Sequence, residues 1–223
     1  MGLDVVAQDE IGAGVAGLGL VELVAEDGQN ATCTSTLPPG TYQNVTVPAG
    51  ASCTINGSDN ITGDVTVATG ATLTDLGAPI GGNLQADHAL EISVIGGSVG
   101  GNLQLTATSQ ENVVCGETVG NDLVVQNGAQ SLIGSGLIGI ERCFGSQNTI
   151  RGNLTVQNNP GRVDVEHNTV TGNIAVHNNA GGGTLLTNSA GGSCQLFNDN
   201  PPIFADGTNT VPPGHQNTCN QPG

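Results

Sequence analysis

The 223-residue sequence contains no lysine and no tryptophan, and its only arginines are Arg142, Arg151 and Arg162. Opposite these three cations stand 19 acidic residues, for a net charge of −16. Nucleic acid and anionic membrane surfaces both need a basic face, so neither is expected as a partner. Acidic polysaccharides are disfavoured on the same ground. The first consequence of the charge is solubility. Aromatics are nearly as scarce, at 2 % of the chain. A thick globular core is hard to fill without large rings, whereas a thin rod filled by Val, Leu and Ile needs none. The most apolar stretch, residues 11–25, is interrupted by Glu22 and is too short to span a bilayer. There is no C-x-x-C, no Cys/His cluster at zinc spacing and no calcium-binding nonapeptide of the G-G-x-G-x-D type. No metal and no cofactor are expected.

What the chain has instead is a repeat. Ile150-Arg-Gly-Asn-Leu-Thr-Val156 is followed 20 residues later by Val170-Thr-Gly-Asn-Ile-Ala-Val176, and 20 further on by Ala190-Gly-Gly-Ser-Cys-Gln-Leu196. Earlier copies begin at Thr41, Ile61, Ile80, Val99 and Val119. The steps from 41 to 190 are 20, 19, 19, 20, 31, 20 and 20, so the one long step is a normal turn plus 11 residues within 127–145. A fixed period of this size is the signature of a solenoid. Stacking the copies gives two apolar columns. One runs Val45, Val65, Leu84, Leu103, Leu123, Leu154, Ile174, Cys194; the other runs Val47, Val67, Ala86, Leu105, Val125, Val156, Val176, Leu196. The residues between them are mostly polar or small. Period-two alternation is a half-buried strand, and further strand-like runs recur at Leu90-Glu-Ile-Ser-Val94 and Arg162-Val-Asp-Val-Glu166.

The expected fold is therefore all-β: a single-stranded parallel β-helix, or solenoid, of about 19–20 residues per turn and eight to nine turns, roughly 40 Å long at a rung spacing of about 4.8 Å. The period divides the chain into an N-terminal apolar arm, residues 1–29, and a β-helix, residues 30–223, with its insertion near 127–145.

A polar column precedes the strand: Asn44, Asp64, Asn83, Asn102, Asp122, Asn153, Asn173, Ser193. A second comprises Asn127, Asn158, Asn178 and Asn198. Asn tolerates the left-handed conformation at a corner, and stacked amides bond from rung to rung. These columns read as a structural ladder rather than as rows of metal or sugar ligands.

Six cysteines allow many pairings, which the repeat narrows. Cys33 and Cys53 are one turn apart, Cys115 and Cys143 bracket the insertion, and Cys194 and Cys219 close the C-terminal end. The expected bridges are Cys33–Cys53, Cys115–Cys143 and Cys194–Cys219. Disulfides belong to an oxidising compartment, so the expected location is extracellular or at a cell surface. Five N-x-S/T sequons, at Asn30, Asn44, Asn56, Asn60 and Asn153, fit export if the source glycosylates.

The arm has no basic n-region, so it is not read as a signal peptide. Gly12-Ala-Gly-Val-Ala-Gly17 fits G-x-G-x-x-G, but β-helix turns follow it in place of the βαβ unit that a dinucleotide site requires. Two of its pieces are strand-compatible: Leu3-Asp-Val-Val6, offering Leu3, Val5 and Val6, and Leu20-Val-Glu-Leu-Val24, offering Leu20, Val21, Leu23 and Val24.

Catalysis finds little support. Asp164 and Glu166 point the same way from one strand, as a glycoside hydrolase pair would, but a solvated face is the simpler reading. His88, His167, His177 and His215 form no ladder. The residues that alternate with the core, Thr46, Thr66, Gln85, Gln104, Val124, Thr155, Ala175 and Gln195, are too irregular for an ice-binding face.

The opening Cys33-Thr-Ser-Thr-Leu-Pro-Pro-Gly-Thr-Tyr-Gln-Asn-Val-Thr-Val-Pro-Ala-Gly-Ala-Ser-Cys53, the G-G-N-L-Q repeats and the closing Cys194…Asn209-Thr-Val…Cys219 resemble a group of bacterial secreted, disulfide-stapled parallel β-helix proteins of unassigned function. The resemblance covers residues 30–219 and not the arm. At the level of fold alone the chain is also similar to the bactofilins, which polymerise end to end through β-helical cores but are cytosolic and lack disulfide staples. The expectation is an extracellular structural protein, not an enzyme, whose partner is itself: a head-to-tail homopolymer, filament or surface layer built through the helix ends and the arm. The alternative is a monomeric secreted carbohydrate-binding or adhesion module with glycans as partners. A polysaccharide-degrading enzyme is the less favoured third.

Overall fold

A computed structural model describes residues 28–135, 143 and 145–220. Parallel strands coil into a β-solenoid of eight full turns, with three short strands per turn after the first, so the cross-section has three faces. The first face carries the two- and three-residue strands, from Asn60–Ile61 to Ser189–Ala190. The second carries the repeat strands, from Val65–Val67 through Leu123–Gln126 to Cys194–Phe197. The third runs from Ser52–Asn56 through Val163–Glu166 to Ile203–Phe204.

Register follows from the side-chain alternation. On the second face Leu103 pairs with Leu84 and Leu123, and Leu105 with Ala86 and Val125, so like stacks on like. The apolar columns read from the sequence point inward and are almost wholly buried up to the last full turn, where Leu196 is partly exposed. The first face adds Ile61, Ile80, Val99, Val119, Ile150 and Val170, and the third adds Ile55, Val94, Val114, Ile133, Val165 and Leu185. Medium aliphatic chains at these inward positions fill the narrow interior, which is why the scarcity of aromatics does not prevent a core. The turns are packed so closely at the corner between the first and second faces that a Cβ on Gly120 would fall onto the carbonyl oxygen of Gly100. A side chain on Gly120 would therefore force the local backbone to shift.

Two details depart from the sequence reading. The first turn is one residue shorter at its corner: Tyr42, not Thr41, pairs with Ile61, while Val45 pairs with Val65. Gln43 stands where later turns have a glycine corner, so Thr41–Val47 runs as one continuous strand and joins the first and second faces. The long step is also localised. Ser131–Gly134 is a regular third-face strand paired with Asn112–Cys115 and Val163–Glu166, so the extra residues fall between Gly134 and Asn148.

Partial turns flank the eight. Gln29–Thr32 pairs alongside Thr41–Val47, and Thr36 bridges Thr54. At the other end Thr210 bridges Ser189, and Asn217 bridges Cys194. The disulfides are Cys33–Cys53, Cys115–Cys143 and Cys194–Cys219. Cys33 follows a shortened opening turn, so the first bridge links adjacent turns across two faces rather than within one column. Cys115–Cys143 lies outside the solenoid: with Val113, Leu132 and Ile95 the two half-cystines form a small second core on the outer side of the third face.

Candidate functional site

Three ladders of polar side chains run up the corners. The outermost is the one legible in the sequence. The Oδ1 of Asn44, Asp64, Asn83, Asn102, Asp122, Asn153 and Asn173 each accepts the backbone N–H of the equivalent residue one turn on, at 2.7–3.2 Å. The corner is exposed, so these groups supply donors and acceptors to solvent as well as to the next rung. The amides of Asn44 and Asn153 also donate within the ladder, to Asn30 and Asp122. Asn30, Asn44 and Asn153 are thus sequon residues already engaged in rung-to-rung bonds.

The second column, Asn127, Asn158, Asn178 and Asn198, forms the corner between the second and third faces. Each has φ between 56° and 59°, and His88 and Ala107 occupy the same position earlier in the chain. These asparagines are exposed; the ladder here is built by the residue that follows. Asn159 and Asn179 are buried. The Oδ1 of Asn159 accepts the Gly128 N–H, that of Asn179 accepts the Asn159 N–H, and Asp199 accepts from Asn179.

A third ladder, not read from the sequence, is fully buried at the corner between the third and first faces. It consists of Asn148, Asn168, Asn188 and Asn209. Each Nδ2 donates to a main-chain carbonyl of the third face, namely those of Val114, Ile133, Val165 and Leu185. Each Oδ1 accepts from the preceding turn: Glu117 N–H to Asn148, Asn148 Nδ2 to Asn168, Asn168 N–H to Asn188 and Asn188 N–H to Asn209. The signal was present as Asn148-Thr-Ile, Asn168-Thr-Val, Asn188-Ser-Ala and Asn209-Thr-Val, each just before a repeat.

In the N-terminal half, carboxyls replace the amides of this third ladder. Glu117 occupies the position before Asn148, and its Oε2 accepts the Gly97 N–H at 2.9 Å. Asp75 accepts the Ala78 N–H, and Asp59 accepts the Asn56 N–H. All three are buried, and each retains one oxygen without a partner. Burial raises the Asp75 pKa to about 6, against two N–H bonds that lower it and with a further push from Asp59. Burial raises Glu117 to about 8, opposed by the Gly97 N–H and aided by Asp75.

Asp164 and Glu166 are brought together on the outer side of the third face. The Thr184 hydroxyl lies 2.7 Å from both Asp164 Oδ1 and Glu166 Oε1, and Arg162 Nε donates to Asp164 Oδ2 at 2.8 Å. Both carboxylates are largely closed to solvent. The group ties the Val163–Glu166 strand to Gly183–Leu186 and offers a substrate no open cleft between the two acids.

The solenoid surface has two further features. One is an open trough of about 460 Å³ on the second face, lined in part by Asn153, Asn173 and Ala175. The other is aromatic. Phe197 and Phe204 are the only exposed large hydrophobics among the described residues, at 44 % and 60 %, and both sit on the last full turn. Phe197 stacks on His177, with ring centroids 4.7 Å apart. Phe204 lies in Ile203–Phe204, the terminal strand of the third face, and no described strand pairs with its outer edge. The arm residues Leu3, Val5, Val6, Leu20, Val21, Leu23 and Val24 lie outside the described residues. Among the described residues no Asp, Glu, His or Cys group has metal-binding geometry, and no helix is long and apolar enough to cross a membrane. No protein-family model, curated protein or solved structure matches the chain.

Proposed function

We propose that the protein is an extracellular structural element whose protomers join head to tail into a filament or surface layer. The observation that supports this reading is the Ile203–Phe204 edge. It is the one end of the third-face sheet without a described neighbour, and it displays the most exposed aromatic of the described residues. An open strand edge is a template for another chain, and strand addition is an established mode of recognition. The first-face and second-face sheets are continued beyond their last strands by Thr210 and Asn217, so the contact begins on the third face. The incoming strand would come from the partner's N-terminal region, where Leu20–Val24 is a strand-compatible apolar piece. A head-to-tail contact does not close on itself and gives an open filament. Three disulfides suit an oxidising exterior, and the net charge of −16 opposes lateral clumping of filaments. The role so read is mechanical and not catalytic.

Phe204→Asp places a charge on the open edge without touching the inward columns. Sedimentation velocity over a concentration series is expected to show large species for the unmodified chain and monomer for this variant, with unchanged melting temperature. Assembly that is indifferent to Phe204→Asp would remove the proposed contact.

A further inference from the structure

We propose that the trough on the second face binds a neutral, extended polysaccharide laid along the solenoid axis. This goes beyond end-to-end assembly, because the trough lies on the side of the rod. Side chains on a strand stand roughly perpendicular to the sheet, and alternate residues share a face. The outer surface of the second face therefore carries three parallel columns. In the first four turns the middle column is Thr46, Thr66, Gln85 and Gln104; in the last four it is Val124, Thr155, Ala175 and Gln195. Replacing glutamines by Val, Thr and Ala lowers the floor over three successive turns and opens the trough. One wall is the exposed ladder of the Asp122 carboxylate and the Asn153 and Asn173 amides. Beyond the floor the same face continues in the column Gln126, Gln157, His177 and Phe197, in which Gln157 Nε2 donates to Gln126 Oε1 at 2.9 Å; this column does not line the trough.

A polar wall beside a short floor of Val124, Thr155 and Ala175 matches a pyranose, which has hydroxyls around its rim and C–H groups on its faces. The ladder leaves donors unspent, since each Asn Nδ2 uses one N–H on its neighbour and has a second available to a ligand. Phe197, held flat against His177, is an exposed ring on the same face of the last full turn, outside the trough lining. The same groups recur every turn, about 4.8 Å apart, a spacing close to the advance of one sugar along an extended 1,4-linked chain. A coiled α-linked chain would leave this register after one or two units. The lining contains Asp122 and no cation, which excludes acidic glycans. An extended peptide is also disfavoured, because the main chain of this face is already paired on both sides and offers it no ladder.

The test is calorimetric or NMR titration of the full chain with cellohexaose, xylohexaose and chitohexaose. Maltohexaose and an oligogalacturonate serve as the coiled and the acidic comparison. Saturable binding of at least one extended neutral hexamer is expected, weakened tenfold or more by Ala175→Arg, which fills the trough. Thr66→Arg places the same side chain on the same face outside the trough and is expected to bind as the unmodified protein does, as is Phe204→Asp. Thermal melting of each variant separates loss of the site from loss of the fold. The proposal is overturned if none of the three extended hexamers binds at millimolar concentration, if only maltohexaose or the acidic oligosaccharide binds, or if folded Ala175→Arg binds undiminished.

Discussion

Replacing Asn168 with leucine is expected to cost on the order of 3 kcal/mol or more of folding stability, although the two side chains have the same number of heavy atoms. Asn168 sits in the buried ladder. Its amide donates to the Ile133 carbonyl, the Glu166 carbonyl and Asn188 Oδ1, and its Oδ1 accepts from Asn148 Nδ2. Leucine keeps the branching and the number of heavy atoms and removes every one of these bonds. Each buried polar group stranded in this way costs about 1–3 kcal/mol, and no water replaces the lost partner at a position 1 % exposed. Asn102 offers the contrast. It makes the same type of rung-to-rung bond, accepting the Asp122 N–H at 3.2 Å, but on the exposed corner. Water compensates there, and Asn102→Ala is expected to cost about 1 kcal/mol or less. Denaturant unfolding of both variants checks the pair. Equal costs would mean that the ladders are ornaments on a fold held by the aliphatic columns alone.

The second large effect is on pH dependence. Folding stability is expected to fall as pH rises from about 5 to 9, the reverse of ordinary acid denaturation. Asp75 and Glu117 have folded-state pKa values raised to about 6 and about 8. The folded state therefore binds more protons than the unfolded chain between about pH 4 and 8, and the slope of stability against pH is negative across that window. The favourable contribution is complete below the unfolded values and is lost as pH climbs through the folded ones. Geometry gives the same answer. The Asn residues that continue the ladder after Glu117 donate to third-face carbonyls, and by register the matching carbonyl for Glu117 is that of Val94. Only a protonated Glu117 has a hydrogen to offer it, through the oxygen left without a partner. Glu117→Gln supplies that donor permanently. Melting temperatures at pH 5 and pH 9 are expected to converge in this variant, with a gain of a few kcal/mol confined to the alkaline side. A Gln variant that loses stability equally at both pH values would show that Glu117 is charged in the folded state.

The difference between what was legible and what was not follows from periodicity. Columns that recur at fixed phase, such as Leu123, Leu154 and Ile174, identify a strand, a register and an inward face before any coordinates exist. Asn127, Asn158 and Asn178 were visible for the same reason, because a left-handed corner recurs in every turn. Their neighbours Asn159 and Asn179, which carry the buried ladder at that corner, were hidden beside them in the same doublets. The carboxyl column was not legible. Asp59 and Glu117 share the phase of the buried asparagines, two residues before Ile61 and Val119, but Ala78 and Gly97 interrupt the column between them, and Asp75 reaches the corner from a third-face strand three residues before the N–H it accepts. With Asp164 and Glu166 they make five buried acids among 19, indistinguishable, by composition, from a soluble surface. The shortened first turn was missed because Asn44 and Asp64 keep a step of 20 while Tyr42 and Ile61 keep one of 19. A fixed template absorbs that slip without a mismatch, since Thr41 and Ile61 are both acceptable at a strand start.

The chemistry of the ends depends on side chains at single positions. Phe197 and Phe204 are ordinary members of their columns until the turn after them is seen to leave the third face uncovered. The claim that rests on them is assembly, and electron microscopy of the purified full-length protein at high concentration tests it most directly. The expected result is unbranched filaments one solenoid wide, with an axial repeat of roughly 40 Å set by rungs about 4.8 Å apart. Filaments are expected to be absent from Phe204→Asp and from a chain lacking residues 1–29. A field of monodisperse single particles from the full-length chain would contradict the account.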